Sequence, residues 1–359
     1  MIALRDLDDY LSQPGLSIRE VMARINATQH LFQLVVDDER RILGTATDGD
    51  IRRALLQGTS LDAEVRHCMR TDFVAKPQHE TQNSLERAKR AVTFLPVVDD
   101  DGRLIEVLVR SPETAGIGQA LVMAGGFGRR LGERTLSTPK PLLQVGDRPL
   151  LDHVLTALED AGVGRVHVSV HYLADQIRGF IAARDNRAEV DFIEEESPLG
   201  TAGALSRLDG KIAGPILVVN GDVLTFADLA ALHDFHRRHR LDGTIAVTQH
   251  ELEVPFGVVR YDEEGLFVSI EEKPRISNFI AAGVYYLEPE FAALVTRGMP
   301  MDMPELLMLG RQIGLKIGLF PIHEYWTDVG QPDDLEAADR MHSRSDPVEP
   351  DTHKTGRAR

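Results

Sequence analysis

A mainly parallel, Rossmann-like α/β domain preceded by a small α+β unit is the fold class this sequence predicts, on three observations. From Gln119 onward short apolar runs alternate with helical patterns, as in a parallel sheet covered on both faces. Nearer the start, Leu34-Val-Val-Asp-Asp-Glu-Arg-Arg-Ile-Leu43 returns as Pro96-Val-Val-Asp-Asp-Asp-Gly-Arg-Leu-Ile105 at a constant offset of 62. And 359 residues suffice for two or three domains, each with its own core.

Each copy of the repeat reads as a hairpin: an apolar strand, an acidic turn, a second apolar strand. Helical patterns precede them, from Ile18 to Asn26 and from Asn83 to Val92. Neither copy is large enough to bury its sheet alone, so the two should pack together as a first domain over 1–115. The second domain, 119–341, should carry strands at Ala120–Met123, Val166–His171, Val190–Glu194, Ile216–Val219 and Thr244–Val247. Helices are expected over 150–161, 173–183, 201–208 and 226–238. From about Phe256 the alternation gives way to hairpins, as in Gly257–Ile270, and a last helix is expected over about 332–341. The tail 342–359 is polar and proline-containing, a composition that favours disorder.

Lys and Arg number 40 against 56 Asp and Glu, a net charge of −16. That argues against a partner as acidic as a nucleic acid and leaves small phosphates met by a few placed cations. No apolar run is long enough to span a membrane, and the acidic start does not read as a signal peptide. The single cysteine, Cys68, rules out an intrachain disulfide framework and reads as an inert thiol. A cytoplasmic location is expected.

The strongest chemical signal is Leu121-Val-Met-Ala-Gly-Gly-Phe-Gly-Arg-Arg-Leu131, followed by Ser137-Thr-Pro-Lys-Pro-Leu-Leu143. An apolar strand runs into glycines whose bare N–H groups can approach a phosphate, and Arg129, Arg130 and Lys140 supply cations. It is not a Rossmann fingerprint, which needs a glycine where Leu131 stands, nor a Walker A loop. Asn220-Gly-Asp222 closes the apolar strand Pro215–Val219, at the carboxyl end where open α/β sheets bind ligands. A carboxylate there suits a hard divalent cation shared with phosphate oxygens.

The pattern Gly-Gly-x-Gly-x-Arg-Leu … Pro-Lys-Pro resembles the sugar-1-phosphate nucleotidyltransferases, or nucleotide-sugar pyrophosphorylases. The resemblance continues through Pro198–Gly203, Val219–Asp222, Val268–Pro274, Ala282–Tyr285 and Tyr325–Gly330. The front unit resembles a tandem CBS domain. Chains joining the two resemble a subgroup linked to guanylyl transfer onto amino-sugar phosphates of nonulosonic (legionaminic) acid pathways, the nearest such activity being glucosamine-1-phosphate guanylyltransferase. The resemblance implies a reaction in which an NTP, with GTP favoured, and a sugar 1-phosphate give a nucleotide sugar and pyrophosphate, with Mg2+ as cofactor.

Residue by residue, the resemblance implies that Arg130 grips the β and γ phosphates, that Lys140 lies near the α-phosphate, and that Asp222 and Asp328 hold the metal. It places Ala124, Gly125, Gly126, Gly128, Arg129, Glu195, Gly200 and Thr201 around the nucleotide. Gly257, Glu272, Lys273 and Gly283 fall to the sugar phosphate. Glu195 stands where thymidylyl- and uridylyl-transferring relatives have Gln. A carboxylate matches the adjacent N1–H and N2–H donors of guanine and repels the carbonyls of uracil and thymine. Two positions depart from the pattern: Arg129 replaces a usual Thr, and Ala281-Ala-Gly283 replaces Asn-Ala-Gly.

In the CBS-like unit, Thr47 and Asp50 have the Thr-x-x-Asp spacing through which such domains meet the ribose of adenine nucleotides; the second copy has Val109 in place of Thr47. An adenine nucleotide or a dimerising role, and hence a homo-oligomer, is expected there. Two other readings compete with catalysis of nucleotidyl transfer. A glycosyltransferase would share the nucleotide-binding half but would not need the triphosphate grip of Arg130 and Lys140. A catalytically dead nucleotide sensor would not need all the charged residues found here.

Overall fold

The computed structural model describes residues 2–28, 31–78, 94–109, 116–208, 210–212, 214–331, 333–336 and 338. The helix expected from Asn83 to Val92, the end of the second repeat at 110–112 and the tail 342–359 lie outside the described residues. Of the expected last helix, 333–336 and 338 are described, and they are helical. The chain divides into two compact units, Met1–Ala115 and Gly116–Arg359.

The first unit holds β1 (Ile2–Leu4), β2 (Leu11–Ser12), α1 (Ile18–Ala27), β3 (Phe32–Val36), β4 (Ile42–Thr47), α2 (Asp48–Leu56), β5 (Lys76–Pro77), β6 (Phe94–Val98) and β7 (Leu104–Val109). The repeat is carried into the backbone residue for residue. Hairpins β3–β4 and β6–β7 match at the offset of 62, and each has its bulge at the same place, between Val35 and Val36 and between Val97 and Val98. They lie in two sheets, β2-β3-β4 and β1-β7-β6-β5. Phe32, Leu34 and Val36 of one share a core with Leu104, Val107 and Val109 of the other, and the Phe32 and Phe94 rings stack 4.1 Å apart. Helix α1 starts on a capping box between Ser17 and Glu20 and buries Ile18, Val21, Met22 and Ile25.

The second unit continues with β8 (Gln119–Met123), β9 (Gln144–Val145), β10 (Arg148–Pro149), α3 (Leu150–Asp160), β11 (Arg165–Val170), α4 (Ala174–Ala183) and β12 (Glu189–Glu194). Then come β13 (Ile216–Asn220), β14 (Val223–Thr225), α5 (Leu229–His239), β15 (Gly243–Glu253), β16 (Val258–Tyr261), β17 (Phe267–Glu271) and β18 (Arg275–Leu287). It closes with α6 (Pro289–Ala293), α7 (Met303–Gln312), β19 (Ile317–Pro321) and β20 (Trp326–Asp328). Seven strands form the main sheet in the order β12-β11-β8-β13-β18-β15-β19. All run parallel except β18, antiparallel to both neighbours. Strand β8 lies inside the sheet between β11 and β13, and its Ala120, Leu121 and Val122 are buried, as both faces of a covered sheet require.

One expected helix does not form. Residues 201–208 make a short 3-10 turn, Gly203–Arg207, because this stretch is pinned to a distant one. A Cβ at Gly203 would lie 2.7 Å from Leu199 Cβ and 3.2 Å from Met299 O. Strand β15 runs on past the expected Val247 to Glu253, paired with β18 out to Arg275. Among the described residues no helix is long and apolar enough to cross a membrane.

Candidate active site

The loop after β8 and the loop after β13 leave the sheet side by side at its carboxyl end. Gly221 donates its N–H to Met123 O at 2.9 Å, and a Cβ there would lie 2.6 Å from that oxygen, so the crossing of the two loops demands glycine. Gly128 has φ +64 and packs over Thr135 and Lys140, whose side-chain carbons would meet a Cβ at 2.9 and 3.1 Å. The Thr135 hydroxyl donates to the carbonyls of Gly128 and Gly132 and so fixes the loop's curvature. Gly126 faces open space. Of Arg129 the structure describes the backbone only, at the start of the 3-10 turn Arg129–Thr135.

Beneath this loop three charges converge. Buried Lys140 donates from Nζ to Asp222 Oδ2 at 2.6 Å and lies 3.8 Å from Asp328 Oδ1. Strand pairing β14–β20 sets the two carboxylates level, since Val223 faces Asp328 and Val329 N donates to Asp222 O. Gly330 packs between Asp328 and Arg130, whose Oδ2 and Nη1 would lie in ordinary contact with a Cβ there, at 3.4 and 3.5 Å. Burial, then the charge of Asp222, push the Asp328 carboxyl above its usual range, against the pull of Lys140 and Arg130.

Asp328 Oδ1 is buried and accepts no hydrogen bond. A carboxylate oxygen so placed beside a second carboxylate is what a divalent cation satisfies, and the residues fit one. Among the described residues no group of three or more His, Cys, Asp or Glu is arranged to hold a metal. Two protein ligands suit a cation that completes its shell from substrate and water, as Mg2+ does.

Glu195 lies under the glycine loop, its carboxylate 3.4 Å from where a Cβ of Gly125 would stand. It is buried, unlike its neighbours Glu194 and Glu196. Oε1 accepts from the Ser169 hydroxyl and Oε2 from Leu199 N at 2.9 Å, so the Pro198–Gly203 turn is tied to β11 through this one side chain. Gly200, at φ +76, presses on Met301 O and the Asp302 carboxylate. Thr201 is held by Asp302, through its N–H at 3.0 Å, and its hydroxyl accepts from Met303 N at 2.8 Å at the start of α7. Asp302 is a clasp that sequence reading missed, because its partner lies 101 positions away.

At the neighbouring strand, Gly283 has φ +71 and meets Asn220, whose Nδ2 would be 2.8 Å from a Cβ. Trp326 Nε1 donates to Ala282 O at 2.8 Å, fastening β20 to β18. Gly257 and Glu272 form a separate pair at the base of the β16–β17 hairpin, with a Cβ on Gly257 only 2.8 Å from Glu272 Oε2. Lys273 is exposed at φ +49, and no described hydrogen bond or ion pair ties its side chain or that of Glu272 to the Lys140 cluster.

In the first unit, Thr47 and Asp50 close on each other as the capping box that starts α2. The Thr47 hydroxyl and Asp50 Oδ2 are 2.6 Å apart, and Arg53 takes Oδ1 at 3.1 Å. Burial and nearby Asp50 push the Cys68 thiol up to about 11, which keeps it inert.

The nucleotidyl transferase family model matches residues 119–344, and the CBS domain model matches residues 13–57. A mannose-1-phosphate guanylyltransferase catalytic subunit beta from Drosophila pseudoobscura pseudoobscura is 36% identical over 230 residues, covering 62% of this chain and 62% of that protein. A mannose-1-phosphate guanyltransferase from Schizosaccharomyces pombe is 34% identical over 230 residues, 60% of this chain and 62% of that protein. The matched part therefore spans less than two thirds of either relative. A crystal structure of a candidate glucose-1-phosphate thymidylyltransferase from Bacillus anthracis, 18% identical, covers 65% of this chain and 98% of its own with a TM-score of 0.51, and shows the same fold.

Proposed function

Because the chain belongs to the nucleotidyl transferase family, we propose that it catalyses transfer of a nucleotidyl group, guanylyl in first place, from an NTP to a sugar 1-phosphate. A phosphate oxygen of the sugar attacks the α-phosphorus, the bond to the β-phosphate breaks, and pyrophosphate leaves. The observation that carries this reading is the cluster of Lys140, Asp222 and Asp328 at the carboxyl end of the sheet, beside a loop of bare N–H groups. Joining two polyanions is mainly a matter of neutralising and aligning charge.

In this reading Lys140 faces the reacting α-phosphate, and Arg130, which lies beside Gly330 and Asp328, takes the outgoing pyrophosphate. The backbone of Ala124, Gly125, Gly126 and Gly128 cradles the triphosphate, with Arg129 at its rim. Asp222 and Asp328 hold Mg2+, which supplies charge neutralisation to the phosphates. Lys273 and Glu272, with Gly257 and Gly283, receive the sugar phosphate. Glu195 keeps acceptor capacity beyond its bonds to Ser169 and Leu199, and faces the base with it. The guanylyl names of the curated relatives support that preference.

The test is a pyrophosphate-release screen of GTP, UTP, dTTP and ATP against mannose, glucose and glucosamine 1-phosphates, with and without Mg2+. GTP should lead by about ten- to hundredfold in kcat/KM, the worth of one good bidentate contact, and Glu195→Gln should narrow the lead. A first place for UTP or dTTP overturns the guanylyl reading. Release from a nucleotide sugar donor, with none from an NTP, overturns nucleotidyl transfer itself.

A further inference from the structure

The second unit also has an open polar cleft, of about 530 Å3, that shares no lining residue with the glycine loop, Lys140, Asp222 or Asp328. One wall is the amino end of the sheet, where Gln119 opens β8 and Arg165 opens β11. Edge strand β12 adds Asp191, Phe192 and Glu194, and the opposite side brings Arg207, Lys211 and Arg297. Four guanidinium or ammonium groups thus face two carboxylates, in a chain whose net charge is −16.

The internal pairings leave this excess uncancelled. Arg165 pairs with Glu189 and Asp191, and Arg178 takes Glu194. Among the described residues Arg207, Lys211 and Arg297 form no ion pair, and the Nε of Arg207 is buried with no acceptor. A buried guanidinium N–H without a partner is costly, and an incoming anion removes that cost. Guanidinium forks match the oxygens of a phosphate in pairs. The volume exceeds what a bare phosphate fills, and the Phe192 ring offers an apolar wall.

We propose that this cavity is a second anion site for a phosphorylated small molecule, and that its occupant acts on the nucleotide side of the catalytic cleft. Arg207 ends the 3-10 turn Gly203–Arg207, which Ala202 joins to Gly200 and Thr201. Arg297 begins the stretch that supplies Met299 O, packed against Gly203, and Asp302, which holds Thr201. An anion bridging Arg207 and Arg297 bears on both halves of that clasp. The inference holds for any base or sugar in the catalytic cleft.

Equilibrium dialysis of the full chain with labelled inorganic pyrophosphate tests it, with glucose 1-phosphate and GDP as competitors to separate a sugar phosphate from a nucleotide. Two equivalents per chain are expected. Lys211→Glu, on an exposed side chain, should weaken one of them at least about tenfold, and Arg207→Gln with Arg297→Gln should abolish it. Turnover at saturating substrate should stay within about twofold in these variants. The competitor that displaces the second equivalent should shift KM for the NTP more in wild type than in Lys211→Glu, where only competition at the catalytic cleft is left. One equivalent in wild type, or two that persist in Lys211→Glu, overturns the site. Equal KM shifts in wild type and Lys211→Glu, with two equivalents bound in wild type, overturn the effect on the cleft. Should the double variant fail to fold, the Lys211→Glu count decides. A wild type that binds two equivalents but releases no pyrophosphate from any NTP would sink the proposed function and leave this site standing.

Discussion

Lys140 stands between two carboxylates that would otherwise repel each other, 2.6 Å from one and 3.8 Å from the other. Asp222→Asn keeps the shape and removes half of that anionic pair. We expect kcat to fall at least about a hundredfold, roughly 2.7 kcal/mol of transition-state stabilisation, with folding little changed. Near-normal turnover would remove Asp222 from the mechanism. The two lysines should fail differently. Lys140→Ala should lower kcat, because its charge counts most as the α-phosphate reacts, while exposed Lys273→Ala should mainly raise KM for the sugar phosphate. A pH profile adds an independent check on Lys140. The Asp328 carboxyl already titrates above its usual range, and Lys140 is one of the charges holding it down. Activity that needs the carboxylate is lost as pH falls through that value, so Lys140→Ala should move the acid limb of kcat/KM upward. Equal kinetic defects and an unmoved limb would defeat this division.

At the scale of the element, two local devices carry measurable stability. Asp50→Ala opens the capping box of α2 and should cost the first unit about 1 kcal/mol, read as a shifted urea midpoint. Calorimetry of AMP, ADP and ATP with the full chain then tests whether the same side chains also hold a ribose; no binding leaves capping as their role. In α5, His236 is buried between Thr244 and Glu288, and desolvation pulls it down to about 4 from 6.5. The folded state thus keeps it neutral while the unfolded chain takes up a proton. Its contribution is whole above pH 6.5 and is lost as pH falls toward 4, at up to about 1.4 kcal/mol per pH unit. His236→Asn should flatten the pH dependence of stability across that window; an unchanged slope would acquit the residue. These elements also mark what sequence could reveal. Hairpins β3–β4 and β6–β7 were legible because acidic turns and apolar alternation are local, and β8 with its loop because glycine spacing is local. The turn at Gly203 was misread as helix, and Asp302, Ser169 and the cavity cations went unseen. Each depends on partners far along the chain, chosen by packing rather than by neighbours in sequence.

For the molecule as a whole, chemistry and repeat fall in different units. Every residue proposed for the NTP, the sugar phosphate and the metal of the reaction lies in Gly116–Arg359, and that unit has cores of its own, one around Leu121, Leu205 and Phe291, another around Leu131, Leu150 and Val329. The first unit has separate cores around Ile18 and Ile51 and around Phe32 and Val107. Residues 116–359 expressed alone should therefore fold, and should release pyrophosphate with kcat within a few-fold of the full chain. If the CBS-like unit serves assembly, the shortened protein should also sediment as a smaller species. A shortened chain that is folded by circular dichroism yet has lost more than about a hundredfold in kcat, some 2.7 kcal/mol at the transition state, would mean that the first unit completes the catalytic site. The roles given to Lys140, Asp222 and Asp328 would then be too few for the reaction.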